Sequence, residues 1–312
     1  GPRLFSRTPP AIFPPILGLL GLGLAWRRGI DLFGLPAGLA EAFLGAVSLL
    51  WAFATLAYLV KLARRPGVVV QDLAILPGRA GLAAGTLAAM LLAAVLGRYA
   101  PAEGRAVLIL GLGAHLAVMA LVARQILTGP EEGRVVNPAW HLVFTGPIIG
   151  AFAAAQLDLP GLARALFWPT LAVACAIYAV SLVQLIRRIP PAPLRPLLAV
   201  HLSVASLMAS VAALTGQGAL ALVFAALAAA MLAGLVAFAR WVTAAGFSAL
   251  WGAFTFPAAA FAGCLLILGG PFATAGGVAL VAATGVVLPI AVRVMQLWAK
   301  GILAARTNAA QA

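Results

Sequence analysis

The chain has 312 residues, of which 64% are hydrophobic and only 9% are charged. A soluble domain carries about a quarter charged residues and under about half apolar ones, so this composition excludes a soluble globular protein. The formal charge of +13 does not indicate nucleic acid as a partner, because the basic residues lie between apolar runs and are not interleaved with aromatics. We therefore expect membrane lipid, and no nucleic acid, around this chain.

Two features near the N-terminus bear on processing: the first two residues and the end of the first apolar run. Gly1 and Pro2 are typical of the scar left by removal of an expression tag, and no part of the fold is assigned to them. The first apolar run is followed by Arg27 and Arg28 rather than by a small-residue cleavage site. This pattern favours a retained helix over a signal peptide.

Ten apolar runs of membrane length follow one another, separated by charged residues, proline and glycine. They predict transmembrane helices at about 11–29, 36–62, 76–97, 104–127, 138–157, 162–187, 195–215, 218–240, 247–269 and 274–299. Because every linker is short, we expect residues 3–306 to form a single transmembrane domain. The predicted fold class is an all-α polytopic membrane protein with ten transmembrane helices in five helical hairpins.

Basic residues are distributed unevenly between alternate loops. Of the 20 Lys and Arg residues, five fall on one side of the predicted membrane: Arg27, Arg28, Arg98, Arg105 and Arg164. The other fifteen fall on the opposite side, which the positive-inside rule places in the cytoplasm. We expect a multi-pass protein of the bacterial inner membrane with both termini cytoplasmic.

Prolines concentrate in the odd-numbered spans. They include Pro14, Pro147 and Pro257 within spans one, five and nine, and Pro77 and Pro196 at the openings of spans three and seven. Proline removes a backbone hydrogen bond, and the freed carbonyls are tolerated only beside protein or water. Kinked odd helices therefore indicate an inner ring around a central pore. The alternative is that transmembrane helices carry proline in general.

The odd spans also carry stripes of small residues at helical spacing. Such stripes either line a pore or allow helices to pack closely. The candidate pore-lining residues are Pro14, Gly18, Gly81, Gly85, Gly146, Gly150, Ser203, Ser206, Gly252, Ala253 and Ala260. On the small-residue face of span nine, Phe256 is the one large side chain.

Sequence motifs for enzyme chemistry are absent: there is no phosphate-binding loop, no HExxH or GxSxG motif and no paired carboxylates in a span. We therefore predict that the chain is not an enzyme and needs no cofactor or metal. His115, His141 and His201 stand alone in three spans, without metal-ligand spacing. A membrane enzyme or haem-binding subunit rests on these histidines alone, and hydrogen bonding between helices is the favoured role.

Glu41 is the one carboxylate placed within a predicted span, about one turn into span two. An intramembrane acid is a candidate coupling residue, for instance a proton relay. Near a helix N-terminus it also complements the helix dipole, and we favour this structural role. Cation pathways usually carry acidic rings, so a neutral pore with a basic cytoplasmic mouth favours anions.

Three segments resemble a known family. The first span contains the sequence IFPPILGLLG, which resembles the first helix of bacterial TehA-like proteins. The ninth span contains FSALWGAFTFP, which resembles the signature of the family's ninth helix, and the opening of the fifth span, NPAWH, is a weaker match. The family is the tellurite-resistance/dicarboxylate transporter family, which is related to the plant guard-cell slow anion channels.

This resemblance implies a function and a site. It implies five hairpins around a central pore lined by the odd helices, a homotrimer, and a gate formed by a phenylalanine of helix nine, here Phe256. It also implies an anion channel that conducts small monovalent anions, chloride or nitrate, through each protomer. The alternative is a secondary exporter of dicarboxylate, sulfite or tellurite-related anions, for which Glu41 is the only coupling candidate. Phe256 itself has a plainer alternative role, which is to fill a gap between helices.

Overall fold

A computed structural model of the chain describes residues 3–312, so the predicted tag scar at Gly1 and Pro2 lies outside the described residues. Within that range all regular structure is helical. The α-helices are α1 (Phe13–Phe33), α2 (Gly38–Arg64), α3 (Val68–Leu73), α4 (Leu76–Gly97), α5 (Pro101–Thr128), α6 (Trp140–Phe144), α7 (Pro147–Gln156), α8 (Pro160–Arg187), α9 (Val200–Leu214), α10 (Gly218–Ala237), α11 (Ala239–Val242), α12 (Thr255–Leu268), α13 (Ala273–Ala299) and α14 (Ile302–Arg306). Short 3-10 helices cover Pro10–Ile12, Glu131–Arg134, Ala192–Ala199, Ala249–Phe254 and Gly270–Phe272.

In residues 3–312, nine helical segments are long and apolar enough to cross a membrane. They are Pro10–Phe33, Gly38–Arg64, Leu76–Gly97, Pro101–Thr128, Pro160–Arg187, Ala192–Leu214, Gly218–Ala237, Ala249–Leu268 and Gly270–Ala299. The predicted class, an all-α polytopic membrane protein, is confirmed.

The predicted fifth span, 138–157, accounts for the difference between nine segments and ten. It is divided into α6 and α7, with Thr145 and Gly146 between them. Pro147 occupies the first position of α7, where its missing N–H cannot continue the hydrogen-bond ladder of α6. The ten residues of α7 extend about 15 Å, half the thickness of a hydrocarbon core.

Consecutive helices pack together in five pairs: α1 with α2, α4 with α5, α7 with α8, α9 with α10, and α12 with α13. The first members of the pairs form a closed ring, in which α1, α4, α7, α9 and α12 each contact the next and α12 returns to α1. The second members lie outside this ring and expose large apolar side chains such as Leu110, Val223 and Val281. An outer layer of this kind fits a lipid environment.

The prolines of the ring mark helix starts more often than kinks. Pro14 and Pro147 lie in the first turns of α1 and α7, Pro77 is the second residue of α4, and Pro257 is the third residue of α12. Pro196 lies in the 3-10 helix that precedes α9. Proline fits the first turn of an α-helix because its missing N–H would have no partner there. The predicted kinks are thus places where a ring helix begins.

A buried ion pair joins the second span to both ends of the chain. The Lys61 Nζ lies 2.7 Å from an Asp72 carboxylate oxygen, and both side chains are 0% exposed. Lys61 also donates to the Thr8 carbonyl at 3.0 Å, and the Tyr58 hydroxyl donates to Asp72 at 2.8 Å. The Ala310 N–H completes the cluster by donating to the other Asp72 oxygen at 2.8 Å. Lys61 is one of the fifteen basic residues predicted for the cytoplasmic side, and in the fold it is an interior charge.

Candidate functional site

Three cavities lie end to end, lined mainly by the ring helices and by the short segments next to them. The proline cavity, about 230 Å³, is lined by Ala11, Pro14, Pro77, Ala80, Leu142, Pro193, Leu197, Val200, Ser248, Ala249, Leu250, Ala253, Arg306 and Thr307. The central cavity, about 10 Å³, is lined by Leu87, His141, Leu142, Thr145, Gly146, Ile148, Ile149, Val200, Ser203, Val204, Leu207 and Phe256. The arginine cavity, about 100 Å³, is lined by Gly21, Leu24, Ala25, Arg27, Arg28, Asp31, Leu91, Ala94, Arg98, Phe152, Gln156, Leu207, Ser210, Phe256, Ala259, Ala260, Gly263 and Ile267.

Shared wall residues give the order of the cavities. The proline and central cavities have Leu142 and Val200 in common. The central and arginine cavities have Leu207 and Phe256 in common. Leu207 and Phe256 therefore form at least part of the wall that separates the central cavity from the arginine cavity. We call this wall the partition, and it lies across any route through the ring. The central cavity has room for about one water molecule, so the route is closed in this conformation.

The Phe256 ring is held in place by a glycine of the neighbouring helix. The side chain is only 6% exposed, and it faces Gly21 of α1. A Cβ at Gly21 would lie 2.8 Å from ring carbons Cδ2 and Cε2 of Phe256. One turn earlier, Gly18 lies against Thr255, whose hydroxyl donates to the Gly252 carbonyl at 2.7 Å. The glycine face of α1 is thus the surface on which the start of α12 rests.

Five of the predicted pore-lining residues line a cavity. Pro14 and Ala253 line the proline cavity, Gly146 and Ser203 line the central cavity, and Ala260 lines the arginine cavity. These residues come from four different ring helices or their leading segments, which the fold brings to one route.

The other six predicted pore-lining residues lie in contacts between or within helices: Gly18, Gly81, Gly85, Gly150, Gly252 and Ser206. For example, a Cβ at Gly85 would lie 3.2 Å from the Phe13 ring, and one at Gly252 would lie 3.3 Å from Pro14. Their small size lets the ring helices approach one another closely.

Leu207 was not predicted as part of the site. It lies on α9 at helical spacing from Ser203 and Ser210, each of which lines one of the cavities on either side. A large side chain between serines at helical spacing could have indicated Leu207, just as a large side chain among small residues indicated Phe256. In an apolar membrane helix, however, a leucine facing the ring interior has the same sequence pattern as one facing lipid.

Charge in the site is concentrated in the arginine cavity, whose wall includes Arg27, Arg28 and Arg98. Arg27 donates to both oxygens of Glu41, at 2.9 and 2.7 Å, and Arg98 pairs with Asp31. Among the described residues, the side chain of Arg28 makes no hydrogen bond or ion pair. It therefore contributes an uncompensated positive charge to this cavity.

Glu41 lies beside the arginine cavity and is not part of its wall. In addition to Arg27, its carboxylate accepts a hydrogen bond from the Tyr99 hydroxyl at 2.7 Å, and Arg98 lies 3.8 Å away. The hydrogen bond to Glu41 raises the pKa of Tyr99. Every partner of Glu41 holds it ionised and fixed, an arrangement that joins α1, α2 and the segment after α4.

Two of the three histidines, isolated in sequence, meet in the fold. His141 Nε2 lies 3.0 Å from His201 Nδ1, and His141 lines the central cavity. His115 instead bridges Thr86 and the Val143 carbonyl, both at 2.8 Å. Within residues 3–312, no group of three or more His, Cys, Asp or Glu side chains is placed to hold a metal ion.

A ring of transmembrane helices around a closed route, with a basic cavity at one end, defines a membrane channel or transporter. The sequence profile of the voltage-dependent anion channel family, SLAC1, matches residues 7–297, almost the whole chain. The chain belongs to this family, and the resemblance drawn from its first and ninth spans is confirmed. It is therefore an anion channel or transporter of a family whose members are not enzymes. A search of curated proteins found no match to the chain.

Proposed function

We propose that the protein is an anion channel that conducts small monovalent anions, chloride or nitrate, through each protomer, with Phe256 as the gate. The observation that carries this proposal is the position of Phe256. Its ring is part of the wall that separates the central cavity from the arginine cavity. Moving the Phe256 ring would remove its part of this wall and leave Leu207 as the other shared residue.

The closed state is explained by the size and chemistry of the partition. Phe256 and Leu207 are apolar, and the central cavity beside them holds about one water molecule. An anion entering it would lose most of its hydration without gaining a charged partner. Hydrophobic constrictions of this kind block ions by dewetting as well as by size.

Preference for anions is supported by the charges along the route. Asp31 is the only carboxylate lining the three cavities in the described part of the chain, and it is paired with Arg98. Arg28 is unpaired on the same wall. The first residues of α7 and α12, Pro147 and Thr255, lie beside the central cavity at Gly146 and Phe256. Helix N-termini carry partial positive charge, which favours anions over cations.

The setting of the channel is part of the same proposal. We propose a homotrimer in the bacterial inner membrane, with both termini cytoplasmic and residues 3–306 as one transmembrane domain, acting without a cofactor and not as an enzyme. The trimer rests on the family resemblance, and the orientation rests on the unequal distribution of Lys and Arg. In this orientation the proline cavity faces the cytoplasm and the arginine cavity faces the periplasm.

The exporter alternative, for dicarboxylate, sulfite or tellurite-related anions, requires a coupling residue that binds and releases protons or ions during transport. Glu41 is fixed by Arg27 and Tyr99 and does not line the route. These contacts favour the structural role of Glu41 and therefore the channel.

Electrical recording from purified protein in planar bilayers, with ion substitution, tests the proposal. A channel carries net current, and its reversal potential should shift when chloride or nitrate is replaced on one side by a large organic anion. Anion flux into liposomes without net current, dependent on a counter-gradient, would favour the exporter instead.

A further inference from the structure

A groove of about 780 Å³ lies outside the helix ring, at the C-terminal end of α8. We call it the α8 groove. Its walls are the last turns of α8, residues 135–138 and residues 189–198. Most of the lining is apolar and includes Val180, Val183, Ile189 and Leu194, all of them exposed. The groove has the volume and surface that hydrocarbon chains fill.

One end of the α8 groove is basic. Arg187 is the last residue of α8, Arg188 follows it, and both are exposed on the groove wall. Neither makes a hydrogen bond or ion pair through its side chain within residues 3–312. No acidic residue lines the groove, and the nearest acids along its walls, Glu131 and Glu132, lie in the 3-10 helix before residue 135. This end of the groove therefore attracts an anion.

A polar atom without a partner lies deeper in the groove. Ser181 lines the groove, and its Oγ is buried and has no hydrogen-bond partner. Helical hydroxyls usually donate to the carbonyl four residues earlier, as Thr170 does to Leu166 at 2.7 Å. Ser181 lies six residues before Arg187, about 9 Å along the helix axis. A ligand with an oxygen acceptor at that depth would satisfy the hydroxyl.

We propose that the α8 groove binds an anionic phospholipid. The acyl chains occupy the apolar walls, an ester oxygen accepts from Ser181, and the phosphate pairs with Arg187 and Arg188. Guanidinium groups bind phosphate oxygens through paired charge-assisted hydrogen bonds, and basic pockets at the membrane surface select anionic headgroups. Free phosphate would leave the apolar walls and Ser181 unused. A zwitterionic lipid such as phosphatidylcholine carries a choline cation beside its phosphate, so it would leave the net charge of the two arginines uncompensated.

Native mass spectrometry of the purified protein, titrated with phosphatidylglycerol or phosphatidylcholine, tests the site. We expect wild type to retain phosphatidylglycerol preferentially. Arg187→Gln with Arg188→Gln should weaken its retention about 25-fold, from about fivefold for each basic residue at a membrane surface. Arg124→Gln removes another exposed arginine, at the end of α5, and should change nothing. Equal retention of both lipids by wild type, or unchanged retention by the double variant, overturns the proposal.

A second variant tests the groove independently of its charge. Ala179→Trp fills the groove wall and should abolish retention of phosphatidylglycerol, whereas Ala172→Trp, exposed on α8 outside the groove, should not. If both tryptophan variants retain the lipid, the apolar walls do not hold it and the proposal fails. If Ala179→Trp instead changes the number of subunits in the particle, the groove is an interface between copies of the chain, which also overturns it.

Discussion

The Phe256 ring rests directly on the backbone of Gly21, with less space between α12 and α1 than a methyl group requires: a Cβ there would lie 2.8 Å from two ring carbons. The contact links the proposed gate to the helix whose next two turns carry Ala25 and Arg28 into the arginine cavity. Any side chain at position 21 must move the ring, and this gives the first test of the site.

Gly21→Ala should displace the Phe256 ring and raise anion conductance. The added methyl cannot coexist with the ring in this conformation, and overpacking costs about 1–3 kcal/mol unless the ring moves. Gly45→Ala is the matched control, because Gly45 lies on the outer helix α2, lines none of the three cavities, and a Cβ there would meet nothing within 4 Å. Single-channel recording of both variants checks the prediction. Equal conductance in Gly21→Ala and wild type would show that the ring position does not control the route.

Leu207→Ala should also raise conductance, but less than removal of the Phe256 ring, because leucine is the smaller of the two side chains shared by the central and arginine cavities. The control is Leu202→Ala, since Leu202 is buried on the same helix and lines none of the three cavities. That variant should lose about 2–5 kcal/mol of stability and leave conductance unchanged. Thermal unfolding followed by bilayer recording distinguishes the two effects. If Leu202→Ala conducts more than Leu207→Ala, loosened packing rather than the partition sets the conductance.

Glu41→Gln should leave the pH dependence of transport unchanged while lowering stability by about 2 kcal/mol, through loss of charged hydrogen bonds to Arg27. Glu103→Gln is the control, because Glu103 is exposed and has no ion pair among the described residues. The measurements are anion flux against pH in liposomes and thermal unfolding. A well-folded Glu41→Gln protein that loses pH-dependent flux would support the exporter alternative over the channel.

Lys61→Met should destabilise the protein by about 3–5 kcal/mol, because it leaves the Asp72 carboxylate buried without its partner. Lys61→Met combined with Asp72→Leu should cost less than the single change, since no buried charge remains unpaired. Lys300→Met removes an exposed lysine and should change little. Thermal unfolding in detergent measures all three. A double variant less stable than Lys61→Met would contradict this expectation. It would show that the pair stabilises the chain ends by more than the free energy that burying its two charges costs.

The membrane class and most helix positions follow from local sequence. Uninterrupted apolar length determines where a helix can cross, so α4 and α8 lie within two residues of their predicted spans at both ends. The break in the fifth span was less visible, because a proline after glycine is compatible with both a kink and a new helix. Basic loop residues predicted an orientation, but they did not show that Lys61 is buried.

Parts of the candidate site depend on contacts between distant residues and were not visible in the sequence. Arg27 and Glu41 lie on different helices, and only packing of α1 against α2 brings them to 2.7 Å. Asp72 was outside every predicted span, yet it is fully buried. Among small residues, the sequence pattern does not separate those that line a cavity, such as Gly146, from those that seat a neighbouring helix. The sequence did show that Phe256 is the one large residue on a helix face made of small residues.

The gate assignment is tested most directly by recording anion current from Phe256→Ala beside Phe254→Ala. Phe254 precedes α12, packs on the Trp251 ring with the ring centroids 5.6 Å apart, and lines none of the three cavities. Phe254→Ala therefore removes a phenyl ring outside the partition. We predict that Phe256→Ala stays folded and conducts manyfold more anion current than wild type, while Phe254→Ala does not. If Phe256 only fills a gap between helices, its alanine variant should lose about 3–5 kcal/mol of stability. A destabilised, electrically silent Phe256→Ala would contradict the gate.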